Sequence, residues 1–365
     1  MYQFDKRIVM TLDAGGTNFV FSAIRSNEEI VEPITLPSNG NNLEKCLETM
    51  VTGFTAIKLK LPEAPVAISF AFPGPADYVN GIIGDLKNLP AFQGGVALGA
   101  FLRKHFGIPV FINNDGDLFA YGEALAGALP EVNRMLREAG KNKVYKNLVG
   151  ITLGTGFGGG VVRDGELFLG DNGAAAEVWV LRDKRQPVYG VEEGISIRAI
   201  KREYAQLSGD LRILTPRDIF EIAEGKQAGN MVAARETFNH AGEVLGEAIA
   251  SINAVVDGIV VIGGGIIAAY KYLIPAVIRE LNGTLEMYEG TSVDRMEMKA
   301  FFLDDVADRD AFLVSTSRRI TVPGTTETIE YDSVKKMGVI MTRLGTSKAI
   351  AFGAYAFALN ELDKC

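Results

Sequence analysis

The chain has 365 residues, 47% hydrophobic and 22% charged, with a formal net charge of −8. That length accommodates two domains of ordinary size, and the acidic balance excludes the basic surface on which nucleic acid binds. Two cysteines, Cys46 and Cys365, are too few for a disulfide framework. The N-terminal residues lack the basic-then-apolar order of a signal peptide, and no apolar run approaches the ~20 residues that span a bilayer; a cytoplasmic protein without a membrane partner is expected.

In chain order, residues 8–12 form an apolar run that predicts a buried strand, ended by the Gly-rich turn Asp13-Ala14-Gly15-Gly16-Thr17. Residues 19–24 and 29–36 predict a second and a third strand. A helix is expected over 43–59, a strand over 66–70 stopped by Pro73-Gly74-Pro75, a helix over 98–106 and a strand over 110–112. Strands alternating with helices predict an α/β domain around a buried sheet. A second half begins near Glu131, with a polar helix and connection over 133–146, a strand over 148–153 and another Gly-rich turn. Helices follow over 195–208, 216–223 and 233–255. A strand over 259–262 runs into Gly263-Gly264-Gly265, and residues 314–331 predict a β-hairpin turning at Pro323-Gly324. A last helix is expected over 347–362. The resulting domains are 1–130 and 131–344, with the C-terminal helix of about 345–365 packing back on the first.

Three motifs carry chemistry. The first is Asp13-Ala14-Gly15-Gly16-Thr17-Asn18. Glycines after a buried strand let backbone N–H groups close on phosphate oxygens, Thr17 and Asn18 add side-chain donors, and Asp13 can hold Mg²⁺ through water. The second, Gly154-Thr155-Gly156-Phe157-Gly158-Gly159-Gly160, repeats that chemistry from the other half. Each turn alone can be an ordinary hairpin; neither has the Gly-Lys-Ser/Thr of a Walker loop, and both lead into strands rather than a Rossmann helix. The third is Asn113-Asn114-Asp115-Gly116-Asp117. A carboxylate at the carboxyl end of a strand faces the usual crevice of an open α/β sheet, and an ionised Asp there can accept a hydroxyl proton as a phosphoryl group transfers. The plain alternative for Asp115 is a helix N-cap, and Asp117 reads as a first-turn surface carboxylate. Glu177, Glu192 and Asn88 can pair with sugar hydroxyls or simply be solvated loop residues. Gly263, Gly264 and Gly265 can admit a base or phosphate, or form a strand-to-helix turn.

As an ordered set, Asp13-Ala14-Gly15-Gly16-Thr17, Pro73-Gly74-Pro75, Asn114-Asp115, Gly154 to Gly160, Glu177 and Gly263-Gly264-Gly265 resemble the ROK family (repressors, open reading frames and kinases), a branch of the actin-like ATPase and sugar kinase superfamily. The resemblance implies a two-lobed actin-like ATPase (ribonuclease H-like) α/β fold with ATP, Mg²⁺ and a hexose in the interlobe cleft, and a homodimer. It implies Asp115 as base and sugar contacts from Asn88, Asn114, Glu177 and a later Glu, with Glu192 fitting better than Glu193. It implies Gly15, Gly16, Thr17, Asn18, Gly154, Thr155 and Gly156 around the phosphates and Gly263, Gly264 and Gly265 near the adenosine. The chain departs from the family pattern after Glu177: Val178-Trp179-Val180 has no His, and no Cys follows before Glu193. No structural zinc is therefore expected. Trp179, the only Trp, reads as a core residue, with a place lining the sugar pocket as the alternative.

The leading expectation is an ATP-dependent hexokinase or glucokinase, with mannose, N-acetylglucosamine or fructose as related acceptors. A family repressor would need a DNA-binding domain ahead of the first strand, and that strand starts near Arg7. A sugar-binding regulator without turnover is the third reading.

Overall fold

The computed structural model describes residues 2–74, 76–84 and 90–364. Its elements run β1 (Val9–Ala14), β2 (Asn18–Arg25), β3 (Glu28–Glu29), β4 (Ile34–Pro37), α1 (Leu43–Lys60), β5 (Ala67–Ala71), the short pair β6 (Ala76–Asp77) and β7 (Ile82–Ile83), α2 (Leu98–Phe106), β8 (Val110–Asn113) and α3 (Asp115–Ala126). Then come α4 (Ala128–Glu138), β9 (Leu148–Leu153), β10 (Phe157–Arg163), β11 (Glu166–Leu167), α5 (Glu192–Ile195), α6 (Ile197–Ser208), α7 (Pro216–Ala223), α8 (Met231–Val256) and β12 (Ile259–Gly263). The chain ends through α9 (Tyr270–Leu281), β13 (Thr284–Glu286), β14 (Ser292–Asp294), β15 (Lys299–Phe302), α10 (Val306–Leu313), β16 (Arg318–Thr321), β17 (Thr328–Tyr331), β18 (Lys336–Met341) and α11 (Thr346–Asp363).

Two sequence expectations are corrected here. The single strand over 29–36 is two, β3 and β4, because Pro33 offers no N–H to a ladder and restricts the residue before it. The helix over 195–208 is α5 and α6, parted at Ser196, which is extended (φ −72°, ψ 170°).

The chain divides into two compact units: Met1–Pro130 with Gly159–Glu177 and Thr342–Cys365, and Glu131–Gly158 with Val178–Met341. In the first, the sheet order is β3-β2-β1-β5-β8, with β4 beside β2. Strand β1 is antiparallel to β2 and parallel to β5, which is parallel to β8. Side chains alternate between faces. Met10, Leu12, Ile68 and Phe70 pack with Met50 and Phe54 of α1 and with Leu98 and Leu102 of α2. Val9 and Ala67 pack with Phe352, Tyr355 and Leu359 of α11 on the other face. Helices α3 and α11 touch backbone to backbone: a Cβ at Gly122 would collide with the Ala349 carbonyl, and one at Gly353 with the Leu118 carbonyl. Only glycine permits that approach.

The second unit is built on the parallel strands β9, β12, β18 and β15. Ile151, Ile262 and Val339 pack in one cluster with Phe238 and Leu245 of α8 and Leu273 and Val277 of α9. The expected hairpin over 314–331 is β16–β17, exposed throughout, with Gly324 at positive φ (78°) in its turn. Among the described residues no helix is long and apolar enough to cross a membrane.

Glu123 fixes the entry to α11. It is fully buried. Its Oε1 accepts from Thr342 Oγ1 at 2.5 Å and from the N–H groups of Arg343 and Leu344 at 3.0 Å, and its Oε2 accepts from Ala128 N at 2.8 Å. Removing the acceptor strands several buried donors, each costing about 1–3 kcal/mol. Glu123→Ala is expected to lower the unfolding free energy by about 3 kcal/mol or more, read as a drop in the urea midpoint; an unchanged midpoint would refute the role.

Candidate active site

In the first unit, the turn after β1 is pinned from behind. Ser38, buried at the end of β4, donates its N–H to the Thr17 carbonyl at 2.9 Å and its hydroxyl to the Gly16 carbonyl at 2.7 Å. A trans peptide points its N–H opposite to its C=O, so the Thr17 N–H faces away from Ser38. The turn thereby offers a donor outward, as a phosphate-binding turn must. Asp13, at the same strand end, has its carboxyl raised above the usual range by burial.

The third motif starts α3. Asn114 is the N-cap: its side chain accepts from Gly116 N at 2.7 Å. Asp115 is therefore not the cap but the first helical residue, and its Oδ1 shares the Gly116 N–H at 2.9 Å. The helix N-terminus supplies the positive end of a dipole to this carboxylate. Surrounding protein desolvates Asp115 and raises its pKa, against the lowering effect of the Gly116 N–H and with a further push from Asp13. The residue is open to solvent at its surface, and the water reaching it screens part of that shift.

Asp117 overturns its sequence reading. It is only 5% exposed, and its Oδ1 has no hydrogen-bond partner. Burial first, then the charges of Glu177 and Asp115, push its carboxyl up to about 8. The sequence reading assigned it to the surface because charged first-turn residues usually face water; here β10 packs so closely on α3 that Asp117 is covered, while Asp115 in the same turn stays open to solvent. Asn113, just before, is 2% exposed with neither amide atom partnered.

Tyr78 is a further site residue that the sequence reading missed. Its hydroxyl donates to the Phe72 carbonyl at 2.9 Å. Burial raises its pKa, a hydrogen bond with Asn114 opposes this, and Asp115, Glu177 and Asp117 add to it. Its only sequence signal was its place just after the Pro73-Gly74-Pro75 stop. The structure thus gathers Asp13, Tyr78, Asn114, Asp115, Asp117 and Glu177 in one unit. Asn88 and Pro75 lie outside the described residues.

In the second unit, the turn over 154–156 closes on itself, Gly154 N donating to Gly156 O at 3.0 Å, and Gly154 O accepts from Ile197 N at 2.9 Å. Glu192 supports this turn directly: its Oε2 accepts from Phe157 N at 2.9 Å, while its Oε1 pairs with Arg198 at 2.6 Å. Glu193 instead pairs with Arg198 at 2.5 Å and Arg202 at 2.8 Å, hydrogen bonds that hold its carboxyl below the usual range. Gly264 sits at φ 93°, where a Cβ would collide with the Leu153 backbone, so strands β9 and β12 bring their terminal turns together. Thr155 and Gly156 lie on the β9 turn; Gly263, Gly264 and Gly265 lie on the β12 turn.

Trp179 corrects the core reading: it is 48% exposed in a short 3₁₀ turn whose buried position is taken by Val178. The segment after it is fastened by charge. Asp183 accepts from Arg185 N at 2.7 Å, Arg185 pairs with Glu203 at 2.9 Å, and His240 Nδ1 meets Glu203 at 2.5 Å while its Nε2 meets Glu236 at 2.8 Å. Among the described residues no three His, Cys, Asp or Glu side chains cluster as a metal site. Mg²⁺ does not need such a cluster, since it is commonly held by one or two carboxylates plus phosphate oxygens and water. Asp13, exposed at the end of β1, fits that demand.

The fold is that of the two-lobed actin-like ATPases. A solved glucokinase from Parabacteroides distasonis superposes with a TM-score of 0.90 at 56% identity, covering 99% of each chain. The sequence profile of the ROK family matches residues 9–307, and the chain belongs to that family. A glucokinase of Halalkalibacterium halodurans is 25% identical over 334 residues, 84% of this chain and 89% of its own. An N-acetyl-D-glucosamine kinase of Photobacterium profundum is 27% identical over 277 residues, 70% of this chain and 82% of its own.

The buried Asp117 makes stability depend on pH. Its folded pKa, about 8, lies above the ordinary 3.8, so between those values the folded chain holds a proton that the unfolded chain has lost. Stability then falls as pH rises across that window, by roughly 1.4 kcal/mol per pH unit from this group, and levels off above it. Asp117→Asn is expected to flatten that slope and to exceed the wild type in stability at pH 9, in denaturant titrations; an unchanged slope would contradict the assignment. Gly264→Ala, forced into a left-handed conformation against backbone, is expected to lower the melting temperature by several degrees, as a loss of about 2 kcal/mol would.

Proposed function

We propose that this ROK-family sugar kinase transfers the γ-phosphoryl group of ATP to the 6-hydroxyl of glucose or a related hexose, with Asp115 as the general base. The observation that carries the reading is the seat of Asp115. Asn114 does the capping, so Asp115 spends one lone pair on Gly116 N–H and keeps the rest for a hydroxyl proton. The names of the relatives, glucokinase and N-acetyl-D-glucosamine kinase, support the acceptor class.

In this reading, Asn114, Glu177, Glu192 and Asn88 orient the sugar through its hydroxyls. Glu177 is exposed at the end of its segment, and a carboxylate can accept such hydroxyls in pairs. Gly15, Gly16, Thr17, Asn18, Gly154, Thr155 and Gly156 supply donors to the phosphates, and Gly263, Gly264 and Gly265 admit the adenosine. Asp13 would hold Mg²⁺ through water, and the ion would neutralise phosphate charge. Asp115 takes the hydroxyl proton as the oxygen attacks phosphorus. Little covalent work falls to the protein beyond that; positioning and charge carry the step. The same reading expects a cytoplasmic homodimer. The absence of a His after Glu177 removes one expected sugar contact and favours broad acceptance of hexoses.

ADP release with Mg-ATP and a panel of glucose, mannose, fructose and N-acetylglucosamine tests the proposal. The wild type is expected to turn over at least one of the aldohexoses, and Asp115→Asn to lose 10²-fold or more, the ordinary weight of a general base. Preference for fructose would make the enzyme a fructokinase; sugar binding without ADP release would make it a regulator and overturn the proposal.

A further inference from the structure

Asp117 has no part in the mechanism just given, yet it is a buried carboxyl. It sits two residues after Asp115 in the first turn of α3, 5% exposed. A Cβ at Gly160 of β10 would lie 2.8 Å from its Cα, so strand backbone closes one side. Its Oδ1 meets no donor among the described residues. The charged groups that raise its carboxyl are Glu177 and Asp115, both acidic. Tyr78 is the other titratable neighbour, a phenol that stays neutral.

A buried, unpartnered carboxylate between two others is costly, and a carboxylic acid is the form that escapes the cost. We infer that Asp117 is a positioning residue for phosphoryl transfer: carried as the neutral acid, it keeps a third negative charge away from Asp115 and Glu177. The inference rests on the kinase reading above. Its physical logic is that the transferring phosphoryl group is itself anionic. An extra negative charge beside the base opposes its approach, and the same charge disturbs the carboxylate that grips the sugar hydroxyls. The proton on Asp117 removes that opposition without removing the base.

The sign of the effect is fixed. Raising pH through the Asp117 titration, near 8, adds the charge and slows turnover. Asparagine has the same shape and no proton to lose, so it mimics the neutral acid at every pH. The experiment is the pH profile of kcat and kcat/KM on the best sugar of the panel, from pH 6 to 10, for wild type and Asp117→Asn. Wild-type kcat is expected to fall about tenfold per pH unit above that titration. The turnover of Asp117→Asn is expected to hold level over the same range. An alkaline limb of equal position and depth in both proteins would overturn the inference.

A second measurement does not depend on turnover. Infrared difference spectra of wild type minus Asp117→Asn at pH 7 are expected to show the C=O stretch of a protonated carboxylic acid, lost on raising the pH to 10. A carboxylate signature at pH 7 would overturn the inference even in an active kinase. A wild type inactive on every sugar, with the protonated acid present, would instead overturn the kinase reading and leave the neutral state of Asp117 established.

Discussion

The site in the first unit depends on one constraint: α3 is held backbone to backbone on two sides. On one side Gly159 and Gly160 lie against Gly116 and Asp117; on the other, Gly122 and Gly353 bring α11 onto it. Side-chain packing tolerates small shifts, because rotamers relax. Backbone packing between glycines has no such slack. The first turn of α3 carries Asp115 and Asp117, so the positions of both carboxyls are set by contacts that cannot drift. Glu123, on the same helix, ties it to the chain entering α11 through three hydrogen bonds and to the start of α4 through a fourth. Rigidity of this kind suits a reaction in which positioning does most of the work.

That rigidity has an electrostatic consequence. Asp13, Asp115 and Asp117 are all raised by desolvation, and the acidic groups push on one another rather than being neutralised. A structural cluster of this sort would normally recruit Arg or Lys. The second unit does so: Glu192 and Glu193 pair with Arg198 and Arg202, and Glu203 pairs with Arg185. The contrast separates two uses of carboxylates in one chain. Those around α6 are saturated and hold loops; those around the start of α3 are short of partners. Perturbed carboxyls gathered at a fixed place mark a candidate functional site.

Much of this was legible in the sequence where local chemistry decides. Helix α2 begins and ends at Leu98 and Phe106 as read, because Gly107 at positive φ (70°) gives the chain a stop. The turns at Pro323-Gly324 and after β12 were marked by their glycines. What escaped was set by tertiary packing. Pro33 was overlooked as a breaker inside an apolar run. Asp117 was assigned to solvent because nothing in a helix-start pattern tells which face another strand will cover. Trp179 was assigned to the core on residue type alone, and the structure gives the buried place to Val178. Tyr78 and Ser38 had no motif to announce them, since a single aromatic or hydroxyl in a loop carries no periodicity.

Glu192 shows how far a sequence role and a structural role can overlap. Its Oε2 takes the Phe157 N–H at the end of the Gly154–Gly156 turn. A Cβ on Gly156 would lie 2.6 Å from that same oxygen, so the glycine and the carboxylate fit as a pair. The turn cannot be reshaped without moving Glu192, and Glu192 cannot move without releasing the turn. A residue expected from the sequence to meet the sugar is, in the structure, the brace of the Gly-rich turn after β9.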